Sequence, residues 1–530
     1  MGSVGHSTTS FAITTPLYYV NALPHIGSAY TTIAADALAR FNRLLGKPVL
    51  MITGTDEHGQ KIQRAAAERG VAPQAHCDEI VTGFQELWER LNIRSDRFSR
   101  TTAPRHAAIV KAFYQRVWEQ GDIYAGRQQG WYCVSCEEFK EERDLLPDNM
   151  CSIHTNKQVE WRDENNYFFK LSNYQEKLES LYAAQPDFIQ PVTRRNEVLS
   201  FVEKGLQDFS ISRVNLDWGF PVPTDPDHTL YVWFDALLGY VTALLDPDDE
   251  PTLENALKRW WPINIHLIGK DILRFHAVYW PAMLMSAGLP LPNRVFGHGF
   301  LTKNGQKMGK SLGNILDPFA LVDRYGADAV RFYFLKEIEF GRDGDFNETR
   351  FINVLNADLA NDLGNLLNRT LKMTVRYCEG KVPQVLPDAL AADHPLKDKS
   401  SRLAEQVQST YERLAFSEAC EAALGLVRAS NKYLDDTAPW SLFKQGQQAE
   451  TEEVLYAVLE SVRLAGYLLS PIVPGLANAI YAQLGFEGDF NHADIGQQWT
   501  YAEHSQWGLL PGGQPLGKAS PIFQRIEVKA

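Results

Sequence analysis

Residues 11–44 read FAITTPLYYVNALPHIGSAYTTIAADALARFNRL. The opening apolar run, FAITTPLYYV, predicts a buried strand, and the segment around Tyr30 predicts a helix behind it. His25, Gly27 and Ser28 stand at the junction between them. A helix that starts where a strand ends presents unpaired amides at the positive end of its dipole, which suits an anion. Gly27 removes a Cβ that would keep a flat ligand from the backbone, while His25 and Ser28 add side-chain donors. The junction thus suits a phosphate compound. An ordinary helix start has the same texture, so the rest of the chain must decide.

Working outward, the 530 residues, 45% of them hydrophobic, hold enough apolar material for two to four domains. No segment approaches the ~18 uncharged apolar residues that span a bilayer; even VLYAVLESVRLAGYLLSPIV carries Glu460 and Arg463. The first ten residues lack the charged and apolar regions of a signal peptide, and His6 breaks a myristoylation signal. Six cysteines, at 77, 133, 136, 151, 378 and 420, are too few and too unevenly spaced for a disulfide scaffold, which implies a reducing cytoplasm. A net charge of -13 argues against indiscriminate nucleic-acid binding but leaves room for a specific RNA, because charges beyond a Debye length hardly act on a local contact.

Three textures follow one another. Up to residue 120, apolar runs such as PVLMITGT alternate with helical patterns such as GQKIQRAAAERG, as in a parallel α/β sheet. Residues 121–228 are irregular and cysteine-bearing and read as an insertion. The α/β texture returns over 229–300 with INIHLIGKDILRFHAVYW and NRVFGHGFLT, and a glycine-rich loop region occupies 301–350. Beyond Arg350, Phe351, Leu355, Leu359, Leu363 and Leu366 recur at three- and four-residue spacing, so 351–530 reads as a helix bundle. GGQPLGKASP near the C-terminus reads as a loop.

Two further motifs carry chemistry. KNGQKMGKSLGN, from Lys303, combines glycines that let a loop fold over a ligand with Lys307 and Lys310 as point charges for phosphate, without P-loop spacing. Alone it reads as a solvated basic loop; with the His25 junction it makes the second side of a clamp on a triphosphate. In the insertion, Cys133-x2-Cys136 and Cys151-x2-His154 form two knuckles whose four ligands suit a closed, structural Zn²⁺ site. Cys77, Cys378 and Cys420 read as small buried hydrophobes.

HIGS at 25–28 resembles the HIGH signature, and KMGKS at 307–311 the KMSKS signature, of class I aminoacyl-tRNA synthetases. TTPLYYVNALPHIG, TGTDEHGQKI, YVWFDALLGY, IGKDILRFHAVYWPAML and HGFLTKNGQKMGKSLGN resemble methionyl-tRNA synthetases in the same order, over nearly the whole chain. Two positions depart: Ser28 replaces the last histidine of HIGH, and Gly309 the first serine of KMSKS. Both lysines remain, so the departures imply altered rates rather than lost chemistry.

The resemblance implies a split Rossmann-type α/β catalytic domain, its halves at 1–120 and 229–300, with a zinc-binding connective insert (121–228), a KMSKS-like loop and stem-contact region (301–350) and an α-helical anticodon-binding domain (351–530). It implies that His25, Gly27 and Ser28 bind the ATP phosphates, that Gly269 and Asp271 hold the ribose, and that Lys307 and Lys310 stabilise charge on the β- and γ-phosphates, with Mg²⁺ sharing it. Leu17, Tyr19, Trp233, Ala236, Tyr240, Ile272 and His276 would surround methionine's side chain, and Asp56 would pair with its ammonium. Methionyl-adenylate would then be passed to the terminal 2′-hydroxyl of tRNA(Met), whose anticodon would be read by Asn365, Arg369 and Trp440, the last on a helix begun after a Thr437 cap. Taken without the resemblance, those aromatics read as core and the anticodon residues as a surface pair and a core tryptophan.

The resemblance further implies a monomeric cytoplasmic ligase, because the chain ends soon after the bundle without a C-terminal dimerisation module. The valine, isoleucine and leucine enzymes carry a large editing insertion for which 121–228 is too short. A catalytically weakened paralogue serving as a tRNA-binding module is the alternative raised by Ser28 and Gly309.

Overall fold

The computed structural model describes residues 10–134, 137–140, 142–152, 157–308, 313–385, 390, 393–492 and 494–527. Strands β1 (Phe11–Tyr19), β2 (Val49–Asp56), β3 (Arg97–Arg100), β4 (Ile189–Gln190), β5 (Ile265–Gly269) and β6 (Val295–His298) form one sheet in the spatial order β3-β2-β1-β5-β6-β4. Every pairing is parallel, and Ile13 of β1 lies in register with Met51 of β2 and Ile265 of β5. Both faces of such a sheet are covered, which is why β1 and β2 read as continuous apolar runs rather than alternating ones. Successive strands run outward from β1 toward β3, and in the opposite direction from β5 to β6. A crevice therefore opens at the carboxyl ends of β1 and β5, the place where ligands bind in sheets of this kind.

The stretch expected to be an insertion contributes β4 to the edge of this sheet, with Ile189 opposite Val295, so the chain rejoins the catalytic layer well before residue 229. A two-residue strand is too short to leave a periodic signal. The rest of the insertion is built on a long antiparallel ladder between Ile123–Cys133 and Glu160–Phe169, with Glu138–Lys140 paired along Trp131–Cys133.

The C-terminal part is helical. Helix α1 (Ile26–Leu44) belongs to the sheet layer, while α2 (Asn365–Tyr377), α3 (Phe416–Thr437) and α4 (Gln448–Leu469) pack together over buried Phe351, Leu355, Leu359, Leu363 and Leu366. Residues Leu355–Gly364 wind in wider π-type turns instead of continuous α-helix. Repeated four-residue apolar steps run ahead of a 3.6-residue turn, and the wider turn takes up the drift. The tail around GGQPLGKASP is irregular yet fastened: Val382 N donates to Gln514 O at 2.9 Å, Gly517 N to Gln483 O at 3.0 Å, and the Asn356 amide bonds the Ile526 backbone in both directions. Among the described residues no helix is long and apolar enough to cross a membrane.

Every residue of α1 except Gly27 is buried, although the helix carries Asp36, Arg40 and Arg43. A helix enclosed on all sides must pair such charges internally. Asp36 Oδ2 accepts from Arg40 Nε at 2.7 Å and from Arg331 Nη2 at 2.6 Å, and its Oδ1 accepts from Arg94 N at 2.9 Å. Arg331, fully buried, also donates to Leu91 O on the sheet side and to Pro471 O and Ile472 O on the helical side. Burial works against the Asp36 charge, but the two guanidiniums win and hold its carboxyl below the usual range. Asp36→Ala leaves two buried cations without their counter-charge and should lower the unfolding free energy by about 3–5 kcal/mol, read from urea denaturation at neutral pH; a loss below about 1 kcal/mol would show that the backbone carbonyls suffice without the carboxylate.

Candidate active site at the switch point of the sheet

His25 caps α1. Its Nδ1 accepts from Gly27 N at 3.0 Å and Ser28 N at 3.3 Å, so the neutral ring keeps its proton on Nε2. This corrects the expectation that these amides are open to a phosphate: they are already taken by the histidine, and the exposed imidazole presents the donor in their place. Gly27 serves the same cap, since a Cβ there would lie 2.9 Å from His25 Cε1. Ser28 sits inside the first turn, 3% exposed. One turn on, Thr31 Oγ1 meets His298 Nε2 at 2.6 Å, which ties α1 to the end of β6. At the end of β5 a Cβ on Gly269 would lie 2.5 Å from Asp271 Oδ1, so glycine is what lets this carboxylate fold back over the turn. Lys307 is exposed on the short strand Gln306–Lys307; Lys310 lies outside the described residues.

The amino-acid side of the crevice gathers the ends of β1 and β2 with residues 232–242 and 270–279. Tyr19 of β1 is in register with Asp56 of β2. Asp56 is 4% exposed, and its Oδ1 has no hydrogen-bond partner among the described residues. Burial, then the negative charges of Asp235 and Glu137, raise its carboxyl well above the ordinary range. A cation arriving at Oδ1 would relieve both effects. Beside it Tyr240 Oη donates to His276 Nε2 at 2.8 Å, and His276 Nδ1 donates to Ile272 O at 3.0 Å. Trp233 stacks on Phe275 with centroids 4.0 Å apart and meets His276 edge-on. Leu17 packs where Gly239 has no side chain: a Cβ there would be 2.3 Å from Leu17 Cδ1. Ala236 is buried, and Leu17, Tyr19, Trp233 and Ile272 are half-buried, so the surroundings of Asp56 on this side are largely apolar and aromatic.

Two sets of residues escaped the sequence reading. Asp235 bridges His58 Nδ1 at 2.7 Å and His106 Nε2 at 2.6 Å, and these partners overcome burial and pull its carboxyl down to about 2. Glu137 accepts from Tyr19 Oη at 2.7 Å. His58 stood inside the quoted TGTDEHGQKI, so a search for a second titratable group there would have found it; nothing local flags Glu137.

In the insertion, Cys133 and Cys151 are buried in one small cluster with Val159, while Cys136 and His154 lie outside the described residues. Among the described residues no group of three metal-ligating side chains gathers. Of the other cysteines, Cys77 and Cys420 are buried and Cys378 is half-buried.

On the helical side, Asn365 is exposed at the start of α2, and Arg369 one turn on pairs with Asp435 of α3 at 2.6 Å. Trp440, half-buried, begins the short helix Pro439–Lys444, which Phe443 stacks onto Tyr377 of α2 with centroids 4.2 Å apart. Thr437 does not cap that helix: its hydroxyl bonds back to Tyr433 O, and Ala438, in a left-handed conformation, makes the break between α3 and the next helix.

Residues 11–147 and 142–371 match the family described as tRNA synthetases class I (M), and residues 386–529 match the anticodon binding domain of methionyl tRNA ligase. The chain belongs to the class I tRNA synthetases. Within that class it is 68% identical to the methionine–tRNA ligase of Synechocystis over 99% of both chains, and 55% identical to the chloroplastic/mitochondrial methionine–tRNA ligase of Arabidopsis thaliana over 98% of this chain and 83% of that one. The structure superposes on Mycobacterium tuberculosis methionyl-tRNA synthetase in complex with methionyl-adenylate with a TM-score of 0.90 at 42% identity, covering 98% of this chain and 100% of the other. Its family is thus that of the methionine–tRNA ligases.

Burial depresses His276 and His298 to about 4. Each takes a proton near pH 6.5 when unfolded but only near 4 when folded. Their contribution to stability is therefore complete above about pH 6.5 and is lost as the pH falls toward 4, by roughly 3 kcal/mol for His276. His276→Gln should flatten the dependence of the urea midpoint on pH across that window by about this amount; an unchanged slope would mean that His276 is charged in the folded protein.

Proposed function

We propose that this chain performs the methionine–tRNA ligase reaction with its two substrates meeting at the switch point between β1 and β5. The observation that carries the reading is Asp56 Oδ1, buried and unpartnered among the described residues beside an aromatic recess. It suits the α-ammonium of an amino acid whose side chain lies against Leu17, Tyr19, Trp233, Ala236, Tyr240, Ile272 and His276, where a thioether sulfur rests well on ring edges. His25 then offers its Nε2–H to the ATP phosphates, Gly269 and Asp271 serve the ribose, and Lys307 and Lys310 supply positive charge to the β- and γ-phosphates. The methionine carboxylate attacks the α-phosphorus in line, expelling pyrophosphate, and the site contributes positioning and charge rather than a covalent intermediate. Mg²⁺ entering with ATP shares the phosphate charge.

In the second half-reaction the 2′-hydroxyl of the terminal adenosine of tRNA(Met) attacks the methionyl carbonyl of the adenylate, forming the ester, giving up its proton and releasing AMP. Asn365 and Arg369 supply the amide and guanidinium for base edges, and Trp440 supplies a stacking face. The Arg369–Asp435 pair is partly exposed, and a pair of that kind is worth at most ~1 kcal/mol, so a base edge competes for the guanidinium easily. Cys133, Cys136, Cys151 and His154 are the four ligands of a structural Zn²⁺, a donor set of thiolates and imidazole that this ion favours, and the joint burial of Cys133 and Cys151 supports it. The enzyme works as a cytoplasmic monomer.

Wild-type protein should exchange labelled pyrophosphate into ATP in the presence of methionine alone among the amino acids; no exchange would leave a tRNA-binding paralogue. On the same preparations, Trp440→Ala should cripple tRNA charging while leaving the exchange nearly intact, because a lost base stack costs ~1–3 kcal/mol in RNA binding and nothing at the ATP site. A parallel fall in both activities would make Trp440 a core residue.

A further inference from the structure

The insertion reaches Tyr19, at the amino-acid side of the crevice, through Glu137. Glu137 follows Cys136 directly, adopts a left-handed conformation with φ 53°, and is 5% exposed. Its Oε2 accepts from Tyr19 Oη at 2.7 Å, and its Oε1 accepts from Lys61 N at 3.3 Å. The same phenol lies 2.9 Å from His58 O, so its single proton sits between two acceptors and the ring is fixed from both sides. There is no slack in this corner. Gly59, at φ 105°, is the residue opposite, and a Cβ there would lie 2.4 Å from Tyr19 Oη and 2.8 Å from Glu137 Oε1. Lys61 Nζ stands 5.2 Å from the centre of the Tyr19 ring.

A buried carboxylate is costly unless hydrogen bonds satisfy it, and Tyr19 Oη, 118 positions away on a different element, donates the shorter of the two that Glu137 accepts. Tyr19 is the strand-end neighbour of Asp56. Whatever fixes Tyr19 fixes the wall of the recess next to the carboxylate that takes the ammonium. We propose that Glu137 is a positioning residue of the amino-acid pocket, holding the Tyr19 phenol in the place where it walls the pocket beside Asp56. Neither partner of this contact is among the residues assigned above to ATP, so the effect is confined to one substrate. The proposal rests on the methionine-activating reading above.

The test measures methionine-dependent pyrophosphate exchange, with both substrates varied, in Glu137→Ala, Glu137→Gln, Tyr19→Phe and the Glu137→Ala/Tyr19→Phe double variant, alongside the metal content of each. Glu137→Ala should raise KM for methionine about tenfold or more and leave KM for ATP within about twofold. Glu137→Gln should recover most of that loss, because its amide can donate to Tyr19 Oη and still accept from Lys61 N while the phenol donates to His58 O. In the Tyr19→Phe background the alanine change should cost little more, a non-additivity expected only of a direct pair. A methionine KM unchanged in Glu137→Ala, equal rises in both KM values, additive variants, or damage that tracks loss of zinc in Ala and Gln alike would each overturn the assignment and leave Glu137 a structural pin of the knuckle. Wild-type protein without exchange would overturn the parent reading and this one with it, and is distinguished by appearing before any substitution is made.

Discussion

The molecule is organised around a helix that has no solvent face. α1 begins at the switch point with His25 and runs through the middle of the structure, and because it is enclosed on all sides its Asp36 must find cations inside the protein. It finds Arg40 on its own next turn and Arg331 from the region that leads into the helical domain. Arg331 in turn bonds carbonyls from both the sheet side and the helical side. One buried carboxylate thus joins the helix that starts at the switch point to the element that leads into the helical domain. Chemistry at the crevice and anticodon reading on the helices, as proposed above, would occupy separate surfaces, and the connection between them is electrostatic as well as apolar.

At the crevice itself, two buried carboxylates close together have opposite fates. Asp235 is satisfied by two histidines and held at about 2, whereas Asp56 is left with one oxygen unpaired and is pushed upward by burial and by its acidic neighbours. The first is a finished structural contact; the second is an unfinished one that, under the proposed function, a substrate ammonium would complete. Selectivity for the charged end of the amino acid would then arise from this asymmetry, while Tyr240, His276 and Trp233 would address the side chain through shape and ring edges.

Much of the fold was legible because its signals are long. The run from Phe11 through α1 to Asp56 carries continuous apolar strands around a helix, and the sheet places both beside each other in parallel register. β4 was not legible, because two residues have no period, and the wider turns of 355–364 were visible only as an unexplained repetition of four-residue steps. His25 shows the limit of a motif. Its position at a helix start was readable, but that its Nδ1 occupies the amides of Gly27 and Ser28 depends on a rotamer that spacing does not encode. Glu137 was invisible for a different reason: its partner Tyr19 lies across the fold, and no local pattern relates the two.

The central claim is that Asp56 takes the ammonium of the amino acid at the switch point. Calorimetric titration with methionine and with its analogue lacking the amino group tests it most directly. Wild-type protein should bind methionine about a hundredfold more tightly than the analogue, as expected for a buried charge-assisted contact worth ~2–3 kcal/mol, and Asp56→Ala should bind the two alike. An Asp56→Ala protein that keeps the full preference for methionine would contradict the account, since the ammonium would then be held elsewhere.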